Sequence, residues 1–212
     1  MALSLNKQKE KKWNDIIKRQ SIANGWKFKG WFAYKAIDGF FFEVNFFLAG
    51  KTNSIDGSLQ FKPLQIDDTF WEIIDLNENK KLPLSFRGSG AFVVRSKDVF
   101  DFQLKITGDT LQKDIDNLFG TINNKTDELS SAITSVDSFE QYVERFPNQK
   151  SEWFDVDLLI VAYISQKKFD MALSLLDYAK KTRGMCSWNF GDKNFGNDIL
   201  IQPTVLLEIN QL

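Results

Sequence analysis

Hydrophobic and polar positions change period along the chain, from helical to strand-like near residue 25 and back to helical after Gly108. From Leu5 to Ile22, Trp13, Ile16 and Ile17 recur at helical spacing among Lys7, Lys9, Lys11, Lys12, Lys18 and Arg19. That pattern predicts a helix with a narrow apolar stripe and a wide basic face, ended by Asn24 and Gly25. Trp26, Phe28, Phe32 and Tyr34 then alternate with Lys27, Lys29, Trp31 and Lys35, the period of a strand with one buried face. Asp38-Gly39 is the turn pair expected between hairpin strands. It leads into Phe40 to Leu48, where apolar residues occupy both faces and predict a central strand. Asp56-Gly57 reads as a further turn before a third strand, Leu59 to Gln65, whose Pro63 places it at an edge or near its end. Asp67 and Asp68 are expected to cap a short helix through Ile74. Leu84 to Val94 and Val99 to Ile106 complete a five-strand count as a second hairpin around Arg95 to Asp98.

Beyond Gly108, Leu111, Ile115, Leu118, Ile122, Leu129 and Ile133 fit one helical stripe that Asn123, Asn124 and Thr126 weaken in the middle. Ser135 to Ser138 carries a second helix start, followed by Phe139, Tyr142, Val143 and Phe146 up to Pro147. Val156 to Tyr163 and Phe169 to Leu176 form a helical hairpin across Ser165 to Lys168. Gly184 ends that run, and Met185 to Leu212 reads as an irregular loop followed by the apolar stretch Ile199 to Ile209. The fold class is therefore α+β. An N-terminal helix with an antiparallel sheet spans 1–106, and a mainly helical half with an irregular tail spans 107–212, packed as one continuous unit.

Composition removes several function classes. Among 212 residues there is no histidine and one cysteine, Cys186. The commonest general base, the commonest metal ligand and any thiolate cluster are missing, so we expect no enzyme, no cofactor and no metal site. A single cysteine forms no internal disulfide, no segment has the apolar length of a membrane span, and residues 1–12 contain no hydrophobic signal core. The expected location is cytoplasmic.

Net charge is only −1, but it is unevenly placed. The first 35 residues carry nine Lys/Arg against two Asp/Glu, whereas Thr107 to Asp157 carries four against eleven. Such asymmetry points to a partner. The candidate partner-binding residues are Asp109, Asp114, Asp116, Asp127, Glu128, Asp137, Glu140 and Glu144, within a block that continues through Glu152, Asp155 and Asp157. An acidic helical surface raises the encounter rate with a basic protein and can occupy a cleft built for nucleic acid. Three other groups of residues compete with it. Lys27, Lys29, Trp31 and Lys35 are the alternative, a lysine and aromatic sheet face for nucleic acid, set against a sequence pI near 5.6. Arg87-Gly88-Ser89-Gly90 lacks the spacing of a phosphate loop and reads as a turn. Glu43, Asp67, Asp68 and Glu72 could include an acid/base pair, since glycosidases need no histidine, but Asp67 and Asp68 are better placed as caps.

Gly25-Trp26-Lys27-Phe28-Lys29-Gly30, then Phe32 and Tyr34, then Phe40 to Phe46 with Val44 and Asn45, resembles a bacterial family of uncharacterised α+β domains associated with toxin-immunity proteins. Its members open with a helix, a "GFKKKG…FY" strand and a "VNF" strand, and the resemblance covers about the first 65 residues. It implies an antiparallel sheet beside the first helix and brings no catalytic residue. Together with the acidic block it leads us to expect an immunity protein that occludes the active site of a cognate, nuclease-type toxin, with a basic toxin domain as partner.

Overall fold

Trp13, Ile16 and Ile17 are all buried, and the helix that carries them, α1 (Leu5–Ala23), is the one the periodicity predicts. Its end is a Schellman motif. Gly25 adopts φ +82°, its N–H bonds the Ile22 carbonyl at 3.1 Å, and the Trp26 N–H bonds the Ser21 carbonyl at 2.9 Å. In this computed structural model the described residues are 5–90, 92–106, 110–147, 152–183, 189–190 and 193–194. Asp109, Cys186, Trp188, Phe195 and the stretch Ile199 to Ile209 lie outside them.

The chain divides into two compact units that interleave along the sequence: residues 1–62 with 98–134, and residues 63–97 with 135–212. The first holds an antiparallel sheet in the order β1-β2-β3-β4-β5. Its strands are β1 (Lys27–Lys29), β2 (Phe32–Ile37), β3 (Phe40–Ala49), β4 (Ser54–Pro63) and β5 (Lys97–Lys105). The sheet is a meander, so sequential neighbours are spatial neighbours. Asp38 and Gly39 both take positive φ, 47° and 83°, as a two-residue type I′ turn requires, and they set the β2–β3 register Ile37↔Phe40 through Phe32↔Asn45.

That register sorts the side chains. Phe42, Val44 and Phe46 point to one face of β3, and Phe41, Glu43 and Asn45 to the other. On the first face Phe42 stacks on Phe61 of β4 at 5.5 Å between ring centroids, and Phe46 meets Phe102 of β5 at 5.7 Å. The helix α4 (Leu111–Ala132) covers this face through Phe119, whose ring lies 6.1 Å from Phe46 and 6.3 Å from Trp26. α1 packs on β1, β3 and α4. Trp26, Phe42, Phe46, Phe61 and Phe119 are buried, and each contributes about 1.5–3 kcal/mol relative to exposure. The other face is buried too, at Phe41, Glu43 and Lys62, with the Lys62 ammonium 5.9 Å from the Phe41 ring.

The second unit begins with α2 (Leu64–Ile73), which packs on α6 (Glu152–Ser165). α6 also receives α5 (Val136–Arg145) and α7 (Phe169–Arg183). Val156 and Leu158 to Ile164 of α6 are all buried, because a helix with neighbours on several sides has no solvent stripe. The Ser135/Ser138 start signal is a complete capping box, and Lys167 at φ 61° turns α6 into α7. A two-strand pair, β6 (Asn189–Phe190) with β7 (Lys193–Asn194), is the described part of the tail.

Several expectations are corrected. The run Trp26 to Lys35 is two strands, broken where Gly30 takes φ +65°. Asp56 and Gly57 lie inside β4, and the turn falls earlier, at 50–53, with Asn53 at φ 49°. Among the described residues of Leu84 to Val94 there is no strand. Pro83, Gly88 and Gly90 disfavour extended pairing there, and the segment winds into a one-turn helix, α3 (Phe86–Ser89), so β5 has no hairpin partner before it. The weak middle of α4 does not split it, since Thr126 is buried and its hydroxyl donates to the Ile122 carbonyl at 2.8 Å.

Gly57 explains why a glycine occupies a strand interior. A Cβ there would press on both the Asn45 carbonyl oxygen and the Phe102 ring. Gly57→Ala should therefore lower unfolding stability by about 1–3 kcal/mol, with the denaturant midpoint falling and the slope unchanged. Unaltered stability would mean that the Phe102 ring does not depend on this gap.

Candidate functional site

Helix α4 displays two sides because its apolar residues recur at helical spacing. Leu111, Ile115, Leu118, Phe119, Ile122 and Leu129 are buried, leaving Asp116, Asp127 and Glu128 exposed. Asp116 and Asp127 are eleven residues apart, about three turns, and so share one stripe. Asp114 is half-buried and accepts a 2.6 Å bond from the Thr110 hydroxyl. Asp116 accepts from the Asn24 amide at 3.4 Å, at the end of α1. Glu128 lies 3.7 Å from Lys125, one turn away.

Asp127 also acts on the interior. The Lys35 ammonium sits 4.5 Å from the centre of the Trp26 ring and donates to Asn123 Oδ1 at 3.4 Å, an oxygen that also accepts the Trp26 indole N–H at 2.8 Å. Burial lowers the Lys35 pKa below its ordinary value, and the charge of Asp127 opposes that shift.

The remaining members of the acidic block belong to the second unit and are internally engaged. Lys168 donates to Asp137 at 2.8 Å and to both oxygens of Glu140 at 2.9 and 3.0 Å, while Gln166 donates to Glu140 at 2.5 Å. Glu140 is buried, so it is a tie between α5 and the α6–α7 turn and is not presented to a partner. Glu144 is exposed and accepts the Tyr163 hydroxyl proton at 2.6 Å. Asp155 and Asp157 are buried, and Asp155 pairs with Lys97 at 2.7 Å with side chains only 8% and 2% exposed. The structure thus groups Asp114, Asp116, Asp127 and Glu128 on α4, and Asp137, Glu140 and Glu144 on α5.

The lysine and aromatic sheet face is not assembled. Lys27 and Lys29 pair with Tyr34 and Phe32 and are exposed on the edge strand, but Lys35 pairs with Phe42 and points to the opposite face. The turn at Gly30 resets the alternation, so odd-numbered residues before and after it do not share a side.

Asp67 and Asp68 are not caps, because α2 starts at Leu64, with no side-chain cap bond from Pro63, and places both inside the helix. They are instead half of an ionic cluster that sequence spacing does not reveal. Arg87 reaches from α3 to donate to Asp68 at 2.6 Å and to the Leu64 carbonyl at 2.6 Å, lies 3.6 Å from Asp67, and stacks 4.8 Å from the Trp71 ring centre. Asp67, with no exposed surface, accepts the Val94 backbone N–H at 3.1 Å. The Arg87-Gly88-Ser89-Gly90 segment is accordingly a clamp on α2. Glu72 pairs with Lys80, and Glu43 is buried on β3, so within each unit these carboxylates form no exposed acid/base pair. Among the described residues, no group of three or more His, Cys, Asp or Glu is placed to hold a metal ion, and no helix is long and apolar enough to cross a membrane.

Comparison with known protein families, with curated proteins and with solved structures returns no match for this chain.

Removing Arg87 leaves the Asp67 carboxylate buried beside a lost cation, and Arg87→Met is expected to cost about 3–5 kcal/mol. Adding Asp67→Asn to that variant should restore part of the loss, as measured by urea denaturation. A single-variant loss under about 1 kcal/mol would show that the cluster does not hold this segment.

The α5–α7 network gives a second expectation, at alkaline pH. Burial first, then the hydrogen bond to Glu144 and the charges of Glu144 and Glu140, raise the Tyr163 pKa above its ordinary 10.0. Hydrogen bonds to Asp137 and Glu140 raise that of Lys168 above 10.5. The unfolded chain therefore releases these protons at lower pH than the folded one, so their stabilisation is present below about pH 10 and lost as pH rises beyond it. Tyr163→Phe and Lys168→Met should each flatten the fall in stability between about pH 9 and 11. A fall as steep as in the parent chain would assign it to other groups.

Proposed function

We propose that the chain is a non-catalytic binding protein, an immunity protein that neutralises a toxin of nuclease type by covering its basic substrate groove. The observation that carries this reading is the exposed carboxylate side of α4, with Asp116 and Asp127 on one stripe and Glu128 beside it. A nuclease groove is basic because it holds a polyanion, and a helix with carboxylates outward and a firmly packed apolar side is a rigid complement to it. Asp67 and Asp68, Asp155, and Asp137 and Glu140 are taken up in structural ties, at Arg87, Lys97 and Lys168 respectively, which favours a binding role over acid/base chemistry for them. The opposite-face placement of Lys35 leaves the nucleic-acid alternative with only Lys27 and Lys29 on its sheet face.

Co-expression with the protein encoded beside it should give a stoichiometric complex that lacks toxin activity. Reversing Asp116, Asp127 and Glu128 together to Lys should slow association about tenfold at low salt, with the difference shrinking as ionic strength rises. Reversing Lys11 and Lys12 to Glu should leave association equal or slightly faster. No complex with any neighbour removes the immunity reading. A complex insensitive to the α4 reversals moves the interface to another surface. Retention on a polyanion resin to high salt would favour nucleic acid instead.

A further inference from the structure

The two edges of the sheet in the first unit are built differently. β1 is three residues long, carries exposed Lys27 and Lys29, and stops where Gly30 turns the chain, so it offers little backbone to another strand. β5 is nine residues long and ends the sheet, and among the described residues no further strand lies beyond it. Its apolar side chains Phe100, Phe102 and Leu104 are only half-buried, as an edge position requires.

The register with β4 decides which backbone groups of β5 face outward. The Ile106 N–H donates to the Asn53 carbonyl at 2.8 Å, Gln103 Nε2 donates to Asp56 at 2.7 Å, and the Phe102 ring fills the space over Gly57. All three fit one ladder, in which Phe102 opposes Gly57 and Gln103 opposes Asp56. Successive residues of an antiparallel strand turn their N–H and C=O groups to alternate sides. The Ile106 bond therefore assigns the even-numbered residues to β4, and Asp101, Gln103 and Lys105 turn their backbone groups away from the sheet.

We propose that this edge pairs antiparallel with β5 of a second copy of the chain, about a twofold axis at Gln103. That register sets Gln103 against Gln103, Asp101 against Lys105 and Lys105 against Asp101, with Phe102 against Leu104 on the other face. Three outward residues from each copy then make about six backbone hydrogen bonds, and two pairs of opposite charge meet between exposed side chains. Charge selects this register over its neighbours. An axis at Asp101 or at Lys105 would set that charge against itself, and an axis at Phe102 or Leu104 would set both charges against uncharged residues. A single strand pair buries less than the about 1,200–2,000 Å² of a stable complex, so the dimer is weak, with a dissociation constant of about 10–100 µM. β5 carries none of the α4 carboxylates, so the pairing stands or falls apart from the toxin reading.

Sedimentation equilibrium of the full chain between about 1 and 500 µM tests it. The parent chain should pass from monomer to dimer and no further, because a twofold pairing consumes the β5 edge of both copies. Asp101→Lys and Lys105→Asp should each weaken the dimer about tenfold or more, by setting like charges in opposition. The two together should return it to within about threefold of the parent, since the pairs are then exchanged and not lost. Gln103→Pro should abolish association, because the N–H it removes faces away from β4 and an edge strand tolerates proline. Circular dichroism checks that each variant folds. A monomer throughout the range, association indifferent to the single reversals, or a charge exchange that fails to restore it overturns the proposal. So does a dimer that survives Gln103→Pro, which would place the contact on another surface.

Discussion

A strand whose two faces are both buried cannot exist alone, and β3 imposes that condition on the first unit. Phe40, Phe42, Val44 and Phe46 need one cover and Phe41 and Glu43 another. On the former side the need is met by aromatic rings from β4, β5 and α4, with α1 alongside, so elements distant in sequence converge on one strand. The type I′ turn at Asp38-Gly39 fixes which residues go where. A slip of one position would exchange the Phe42 and Glu43 sides throughout the ladder. The basic and acidic segments at α1 and α4 come together as a by-product, because the helices that cover the phenylalanines turn their polar sides outward.

Local signals were legible where local chemistry decides structure. The Gly25 end of α1, the Asp38-Gly39 turn, the capping box at Ser135 and the stripe of α4 all follow from interactions within a few residues, and the α+β class follows with them. Failures occurred where distant partners decide. Nothing near Arg87 announces Asp67 and Asp68, and without that ion pair the segment's hydrophobic alternation looks like a strand. Lys97 sits in a polar run that reads as a turn, yet it is buried against Asp155, a partner 58 residues away. Gly57 gave a usable warning, since glycine between strand-forming residues marks either a turn or a close approach, and here it was the latter. The parity error at Gly30 has a similar lesson: alternation is meaningful only within one strand.

The candidate site was half legible. Acidic residues in the sequence form one block, but burial sorts them into surface groups on α4, exemplified by Asp127, and structural ties such as Glu140 and Asp155. Charge counts cannot make that distinction, because a carboxylate with a lysine across a helix turn and one facing water contribute equally to the total. Spatial pairing also changes what the positive charge means. Lys168 and Lys97 neutralise internal carboxylates, whereas Lys11 and Lys12 remain on the solvent side of α1.

The interleaving of the two units has a consequence for biosynthesis. β4 ends at Pro63, and its sheet neighbour β5 begins only at Lys97, after α2 and the Arg87 clamp, which belong to the other unit. A chain emerging from the ribosome therefore presents β4 as an open edge, Ile55, Leu59 and Phe61 included, for the whole time that the intervening stretch is being made. Loop closure over that stretch is entropically modest, but it cannot begin until the last strand exists. The β2–β3 hairpin can form early from neighbouring residues, while the outer edge of the sheet waits on translation. The growing chain is thus open to strand pairing with other nascent chains during the interval in which its fold is already half made.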